Sequence, residues 1–419
     1  MPAALKFLLA ARRCEIHGLE QLALTCALVS RIGQLVHMLQ RERGVSNVVA
    51  ASRGARFSGQ LSACIADSCA VEAAVREGFD RLDTDSGQLP GGARLFSRIA
   101  AVVHSLDALP QLRDQVRALK LSPEDITESY TRLIGGLLTA VFEAADSAGD
   151  PDVSRALVAL FNFMQGKELA GQERATGAAG FALGHFDSAR QHRLVHLIEA
   201  QQRCFDIFCE FAAPSTVAIW HEALPAADLA GLERLRRIAV SAAEVADGSE
   251  AWFELTTRRI DVMKQVEDRL AVGLLHLAER KTAEAHLALQ DHAAVFDTFV
   301  RESASGAPVG LAPDASGNDA AGAPHTGLSR SVFDLLHVQS RRLQEMGDEL
   351  ARARATLAER KTIERAKGML MEHRGLSEDQ AYRLLRQRAM DQGRRMVEVA
   401  EAVLGFADLL QRDSLPSRR

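Results

Sequence analysis

Aromatic residues are scarce in this chain. Trp and Tyr number two each, and Phe, Trp and Tyr together make 5% of the 419 residues. A β-sandwich or barrel fills its pleated faces with aromatic and β-branched side chains, so that class is disfavoured. An Ala-, Leu- and Arg-rich chain leans to helix instead. Cysteine is sparse too. The six thiols (Cys14, Cys26, Cys64, Cys69, Cys204, Cys209) contain no C-x-x-C pair, and a chain this long needs no disulfide staples, so reduced, buried thiols are expected. No stretch approaches the roughly 18 apolar residues that span a bilayer. The leading MPAALKFLLAARR is too short in its apolar part, and lacks a basic region before it, to be a signal peptide. A soluble cytoplasmic protein is expected. Lysine supplies only seven of the 50 basic residues. Codon bias explains most of that, although Arg is also the residue suited to planar anions and phosphates. No G-x-x-x-x-G-K-[ST], G-x-S-x-G or G-x-G-x-x-G loop is present, and no acid/base pair or nucleophile constellation, so no enzyme is expected. His37, His185, His192 and His196 lack the companion Glu or Cys of a metal motif, and no cofactor or metal is expected.

What is present is globular composition, 47% hydrophobic and 25% charged, at a length that suggests two or three domains. The net charge of −5 argues against nucleic acid until it is divided along the chain. Residues 328–419 carry 18 basic and 14 acidic residues, net +4, which leaves −9 on the rest. An acidic body with a basic tail module is the first organisational clue.

Residues 1–300 form a succession of helical patterns. In Leu19–Gln40, Leu22, Leu24, Leu28, Ile32, Leu35, Val36 and Leu39 recur at three- and four-residue steps. Similar periodicity runs through 95–112, 130–145, 153–164, 190–211, 229–246 and 251–289. Between these segments lie DTDSGQLPGG, LSPED, SAGDPD and PSTV, which read as helix stops followed by N-caps. No period-2 alternation or strand–helix–strand rhythm appears. Residues 303–330 are almost entirely Gly, Ala, Ser, Pro, Asp and Asn and predict a flexible linker. After it, Leu336, Leu343, Leu350 and Leu357 are spaced by seven, with Val332, Gln339, Met346 and Ala353 four residues before each. That pattern suits a two-stranded parallel coiled coil; the alternative is a single long helix packed on another domain.

Three helices are expected in the tail. The first ends near His373, before Gly375. The second starts at Ser377, with Gln380 completing a capping box, and buries Ala381, Leu384, Leu385 and Ala389. The third starts near Arg395 and buries Met396, Val399, Ala400, Val403 and Leu404. Arg360, Lys361, Arg365, Lys367, Arg383, Arg386 and Arg395 offer a basic surface that can meet phosphates or simply be solvated. The text ERKTIERAKGMLMEHRGLSEDQAYRLLRQRAM is similar to the ANTAR domain, through Ile363, Glu364, Ala366, Lys367, Gly368, Leu370 and Met371, then Ala381–Arg386 and Ala389–Met390. The resemblance covers roughly 349–406. It implies an RNA-binding antitermination module, dimerised through a coiled coil, that holds paired stem-loops of a leader mRNA.

In the first 300 residues, HMLQRERGVSNVVAASRG (37–54), NFMQGKELAGQERATGAAGFALG (162–184) and LERLRRIAV (232–240) stand out. The second sets Gly166, Gly171, Gly177, Gly180 and Gly184 among apolar residues, at up to about 1 kcal/mol each in a helix. Either helices approach closely there or the segment is an irregular loop. Leu39–Ser46 (LQRERGVS) resembles the signature of the NIT domain. Met164–Arg174 is similar to the version joined to ANTAR in nitrate-responsive antitermination regulators. The resemblance runs over nearly the whole chain. It implies an all-α sensor of two stacked four-helix bundles, with nitrate or nitrite as ligand and Arg43, Arg236 and Arg174 as the anion-contacting residues. A guanidinium offers a planar fork of donors to a planar anion, and two arginines apposed without the anion would repel. Arg237 rivals Arg236, and each arginine alone can equally be a surface salt bridge.

The organisation expected is thus a 1–300 sensor, a 301–330 linker, a 331–357 coiled-coil helix that makes a homodimer, and a 349–411 RNA-binding domain. The function expected is nitrate- or nitrite-responsive antitermination, with the sensor masking the RNA module until the anion binds. A helix-turn-helix DNA regulator and a coiled-coil signalling scaffold are the alternatives.

Overall fold

The computed structural model describes residues 2–82, 92–241, 248–304, 325–374, 376 and 378–413. Among these every regular element is an α-helix, in keeping with the all-α expectation. The order is α1 (Pro2–Ala51), α2 (Ser58–Asp80), α3 (Gly92–Asp107), α4 (Leu109–Arg117), α5 (Pro123–Ser147), α6 (Pro151–Leu183), α7 (Ser188–Phe211), α8 (Pro214–Glu222), α9 (Ala226–Ser241), α10 (Ser249–Ala304), α11 (His325–Arg374), α12 (Glu378–Gln392) and α13 (Met396–Asp413). The chain divides into two units. The first comprises Met1–Leu157 with Arg269–Leu350, and the second Val158–Asp268 with Ala351–Arg419.

In the first unit, α1 lies against α2 and α5, and α5 packs on α3. Of the periodic residues of α1, Leu22, Leu28, Ile32, Leu35, Val36 and Leu39 are buried and Leu24 is exposed; Ile126, Tyr130, Ile134, Leu137 and Val141 of the adjoining α5 are buried too. Each such side chain contributes roughly 1.5–3 kcal/mol by leaving water. An 18-residue window within Leu9–Ala51 reaches a mean hydropathy of 1.5 and 56% of it is buried inside the unit. The expectation that no stretch comes near membrane-spanning hydropathy was therefore too strong; the window belongs to a core helix that is apolar on several sides.

Of the breaks, LSPED and SAGDPD behave as caps; Ala213 at the PSTV break makes no side-chain cap, and residues 83–91, which hold most of DTDSGQLPGG, lie outside the described residues. Ser122 Oγ accepts from Asp125 N at 3.1 Å, while Asp125 Oδ2 accepts from Ser122 N at 3.2 Å, with Pro123 at the first helical position. Asp150 Oδ1 accepts from Val153 N at 3.0 Å to start α6, and Asp187 does the same for α7 through Arg190 N at 2.7 Å. The 95–112 pattern is cut into α3 and α4 at Ala108.

The glycine-rich segment is helix, not an irregular loop: α6 runs unbroken to Leu183, and Gly184 ends it with φ +72°. The glycines admit aromatic rings rather than a second backbone. A Cβ at Gly177 would stand 2.2 Å from Trp252, at Gly180 2.1 Å from Phe186, and at Gly166 2.7 Å from Phe205. Phe181, Phe186, Leu194, Leu232, Leu235, Ala239 and Trp252 form the core of this end of the second unit.

The tail forms the three expected helices, while Gly375 and Ser377, the expected stop and cap, lie outside the described residues. Ala366, Leu370, Ala381, Leu385, Ala389, Val399 and Ala400 are buried together, with Ile363, Leu384, Met396, Val403 and Leu404 packed around them. Helix reaches into both ends of the linker-like stretch, since α10 runs to Ala304 and α11 starts at His325. Residues 305–324 lie outside the described residues, as do the side chains of Leu336, Leu343 and Leu357 of the heptad.

Candidate anion-sensing and RNA-binding sites

Each unit of the sensor holds a buried glutamate clasped by an arginine. In the first unit, Glu42 on α1 is fully buried. Arg113 of α4 donates to it through Nε (2.8 Å) and Nη2 (3.0 Å), and the Tyr130 hydroxyl donates at 2.7 Å. Arg113 Nη1 also meets Glu72 of α2 at 3.3 Å. Burial opposes the Arg113 charge, but the Glu42 carboxylate more than offsets it and raises the guanidinium above its ordinary pKa. The next residue, Arg43, is 5% exposed and donates to Thr131 Oγ1 at 2.8 Å. One turn on, Asn47 donates to Thr127 Oγ1 at 2.8 Å. The four-residue spacing on α1 thus matches the four-residue spacing on α5.

In the second unit, Glu173 of α6 is 1% exposed. Arg236 of α9 donates to it through Nε (2.7 Å) and Nη2 (2.8 Å), and Gln201 of α7 donates at 2.7 Å. Arg259 of α10 places Nη1 2.8 Å from Gln201 Oε1 and 3.5 Å from Glu173 Oε2. One carboxylate therefore ties four helices. Burial alone would raise the Glu173 carboxyl; hydrogen bonds and charge from Arg236, with Arg259 and Gln201, hold it below the ordinary glutamate value. Burial, and then the neighbouring charge of Arg236, bring Arg259 down to about 10, so it remains a cation at neutral pH. Arg174 donates to Thr257 Oγ1 at 3.2 Å and lies 5.5 Å from the Phe253 ring. Arg237 stays exposed and, among the described residues, its side chain reaches the Glu233 carbonyl at 3.4 Å. Of the two rivals, Arg236 is the one turned inward.

The three sequence-selected arginines do not share one unit: Arg43 lies in the first, Arg174 and Arg236 in the second. The like-charged guanidiniums brought together within the second unit are Arg236 and Arg259, with Glu173 between them. Glu173 stood inside the quoted Q-E-R motif, and Arg259 in an RR pair of an otherwise ordinary helical pattern. Sequence gave no sign that either is buried, because facing helices decide that. Among the described residues no group of three His, Cys, Asp or Glu is placed to hold a metal ion; His196 instead meets the Tyr382 ring, centroids 5.4 Å apart.

In the tail, Arg365, Arg383, Arg386 and Arg395 are exposed and Lys361 is half-buried. Lys367 is 6% exposed, with its ammonium 2.9 Å from Glu364. Arg395 pairs with Glu359 at 2.6 Å. The Arg360 side chain lies outside the described residues. Two residues of the AYRLLR motif meet α7 within the second unit. Arg386 pairs with Glu199 at 2.5 Å, and Arg203 stacks over Tyr382 at 4.4 Å.

These features have counterparts in known proteins. Residues 34–275 match the NIT family, described as nitrate and nitrite sensing, and residues 351–404 match the ANTAR domain. The Nitrate regulatory protein of Klebsiella oxytoca is 36% identical over 410 residues, covering 96% of this chain and 95% of that protein. The solved structure of the NasR transcription antiterminator superposes with a TM-score of 0.61 at 33% identity, covering 96% of this chain and 99% of that one. With both domains matched in this order and the relatives aligned almost end to end, the chain belongs to the NIT–ANTAR family of nitrate-responsive transcription antitermination regulators.

Proposed function

We propose that this protein is a cytoplasmic, homodimeric, nitrate- or nitrite-responsive positive regulator. It binds paired stem-loops of a leader mRNA and prevents termination upstream of nitrate and nitrite assimilation genes. The 1–300 region senses the anion through Arg43, Arg236 and Arg174; 301–330 is a linker. The 331–357 helix pairs two copies, and 349–411 meets RNA through Arg360, Lys361, Arg365, Lys367, Arg383, Arg386 and Arg395. Single-stranded loops suit this module, because splayed bases can be read by a small surface while cations hold the phosphates.

The observation that carries the reading is the meeting of α12 with α7. Arg386 and Tyr382 are engaged by Glu199 and Arg203. Between those two, Gln201 on the same helix donates to Glu173. Residues two apart on a helix point to different faces, so α7 touches the anion-sensing node with one face and the RNA module with another. A ligand that alters the node biases the α12 contact, provided its affinity differs between the docked and released states. Two gel shifts test this, with leader RNA and with the corresponding duplex DNA, each with and without nitrate. Nitrate-dependent, salt-sensitive retention of the RNA alone is expected. Retention of the duplex would favour a DNA regulator, and retention of neither a protein scaffold.

A further inference from the structure

The two glutamate nodes are variants of one arrangement. In each, a buried glutamate precedes an arginine: Glu42–Arg43 and Glu173–Arg174. The glutamate takes both Nε and Nη2 of an arginine from a later helix, Arg113 or Arg236. The arginine after it donates to a threonine, Thr131 or Thr257. The recurrence marks the clasp as part of how each unit is built.

The nodes differ in what faces the carboxylate. In the first unit a neutral phenol, Tyr130, does so. With Glu72 also on Arg113, two carboxylates share that guanidinium and leave Arg113 no charge for a further anion; Arg43 is a separate cation, donating to Thr131. In the second unit Arg259 stands there, so two guanidiniums share one buried carboxylate. The other acid, Glu233, is 53% exposed on the outer Nη1 of Arg236, where water screens it. Arg259 itself is 11% exposed and engages through Nη1 only. Its Nε and Nη2 have no partner among the described residues; this is the edge that in Arg113 and Arg236 grips a carboxylate. The Phe205 ring, 6.0 Å away, offers weak compensation to a buried charge.

We propose that Arg259 is an anion-binding residue of the second unit, its Nε–Nη2 edge taking a planar monoanion, nitrate or nitrite, beside the Arg236–Glu173 clasp. The proposal rests on the reading that this unit senses such an anion. A bound monoanion brings the two guanidiniums and Glu173 to charge balance and satisfies the unused fork. It also fixes Arg259, and through it Gln201, the residue of α7 that faces the node.

Sodium nitrate titrated calorimetrically into full-length protein in chloride-free buffer tests the assignment, with far-UV circular dichroism to monitor folding. Arg259→Gln is expected to weaken binding at least about tenfold, which is about 1.4 kcal/mol. Its melting temperature should be no lower than wild type, because one of two apposed buried cations is gone. Arg259→Lys keeps the charge without the fork and should fall between. Wild-type affinity in folded Arg259→Gln would overturn the proposal. Should that variant not fold, undiminished affinity in Arg259→Lys overturns it and weakened affinity supports it. The underlying reading is scored separately by Arg43→Ala and Arg236→Ala. If both bind nitrate as wild type does, or wild type takes none, the sensing reading falls and this proposal with it. If they lose binding while Arg259→Gln does not, only the Arg259 assignment falls.

Discussion

At the residue scale the sensor is a study in how one buried carboxylate is kept ionised. Glu173 is held below the ordinary glutamate value of 4.5. As pH falls past that value the unfolded chain takes up a proton that the folded chain does not, so the stability supplied by the node is present above it and is lost on acidification. The urea midpoint of wild type is expected to fall between about pH 5 and about pH 3.5 more steeply than that of Glu173→Gln. Parallel slopes would show that the clasp does not hold the charge. Arg43 calls for a different test. Its Nη1 already engages Thr131, so a nitrate ion held there must share the guanidinium with that hydroxyl. Arg43→Ala is expected to abolish calorimetric nitrate binding while leaving the helical spectrum intact, and unchanged binding would remove Arg43 from the site.

At the scale of elements, α6 shows how a helix can carry unfavourable residues for the sake of its neighbours. Ala is worth up to about 1 kcal/mol over Gly in a helix interior, but a Cβ at Gly177 would lie 2.2 Å from Trp252, and overpacking costs typically about 1–3 kcal/mol. The second effect wins, so Gly177→Ala should lower the urea midpoint. At Gly273 in α10 an added Cβ meets nothing within 4 Å, so Gly273→Ala should raise it. Two changes of the same chemistry with opposite sign separate packing from propensity. Much of this scale was legible in the sequence. The Leu and Ile periodicity of α1, the N-cap signal in LSPED and the apolar faces of α12 and α13 are local patterns, and local patterns set helices. What stayed hidden was relational. The glycines of α6 announced close contact without saying that rings would fill the space. The RR pair at 258–259 did not reveal that Arg258 goes outward to Asp228 while Arg259 goes inward to Glu173. Lys367 read as part of a basic face and is buried against Glu364, because α11 turns that side toward the module's own core.

At the scale of the whole molecule, the proposed function needs the RNA module governed by the sensor, and the proposal routes that control through α7, which meets Arg386 and Tyr382 of α12. Removing residues 1–330 is expected to leave RNA retention in gel shifts that no longer depends on nitrate. Continued nitrate dependence would show that the anion acts elsewhere than the sensor. The two Trp and two Tyr residues mark particular places in this machine. Trp252 lies on Gly177 with its Nε1 donating to the Arg174 carbonyl at 3.0 Å. Trp220 packs on Phe163 and Phe205 beside the same bundle. Tyr130 sits on Glu42, and Tyr382 in the α12–α7 contact. Since both tryptophans lie in the second unit, excitation at the red edge of protein absorption addresses that unit without any label. If nitrate binds as proposed, its entry is expected to change tryptophan emission, and a release of α12 the environment of Tyr382, one of the two phenols.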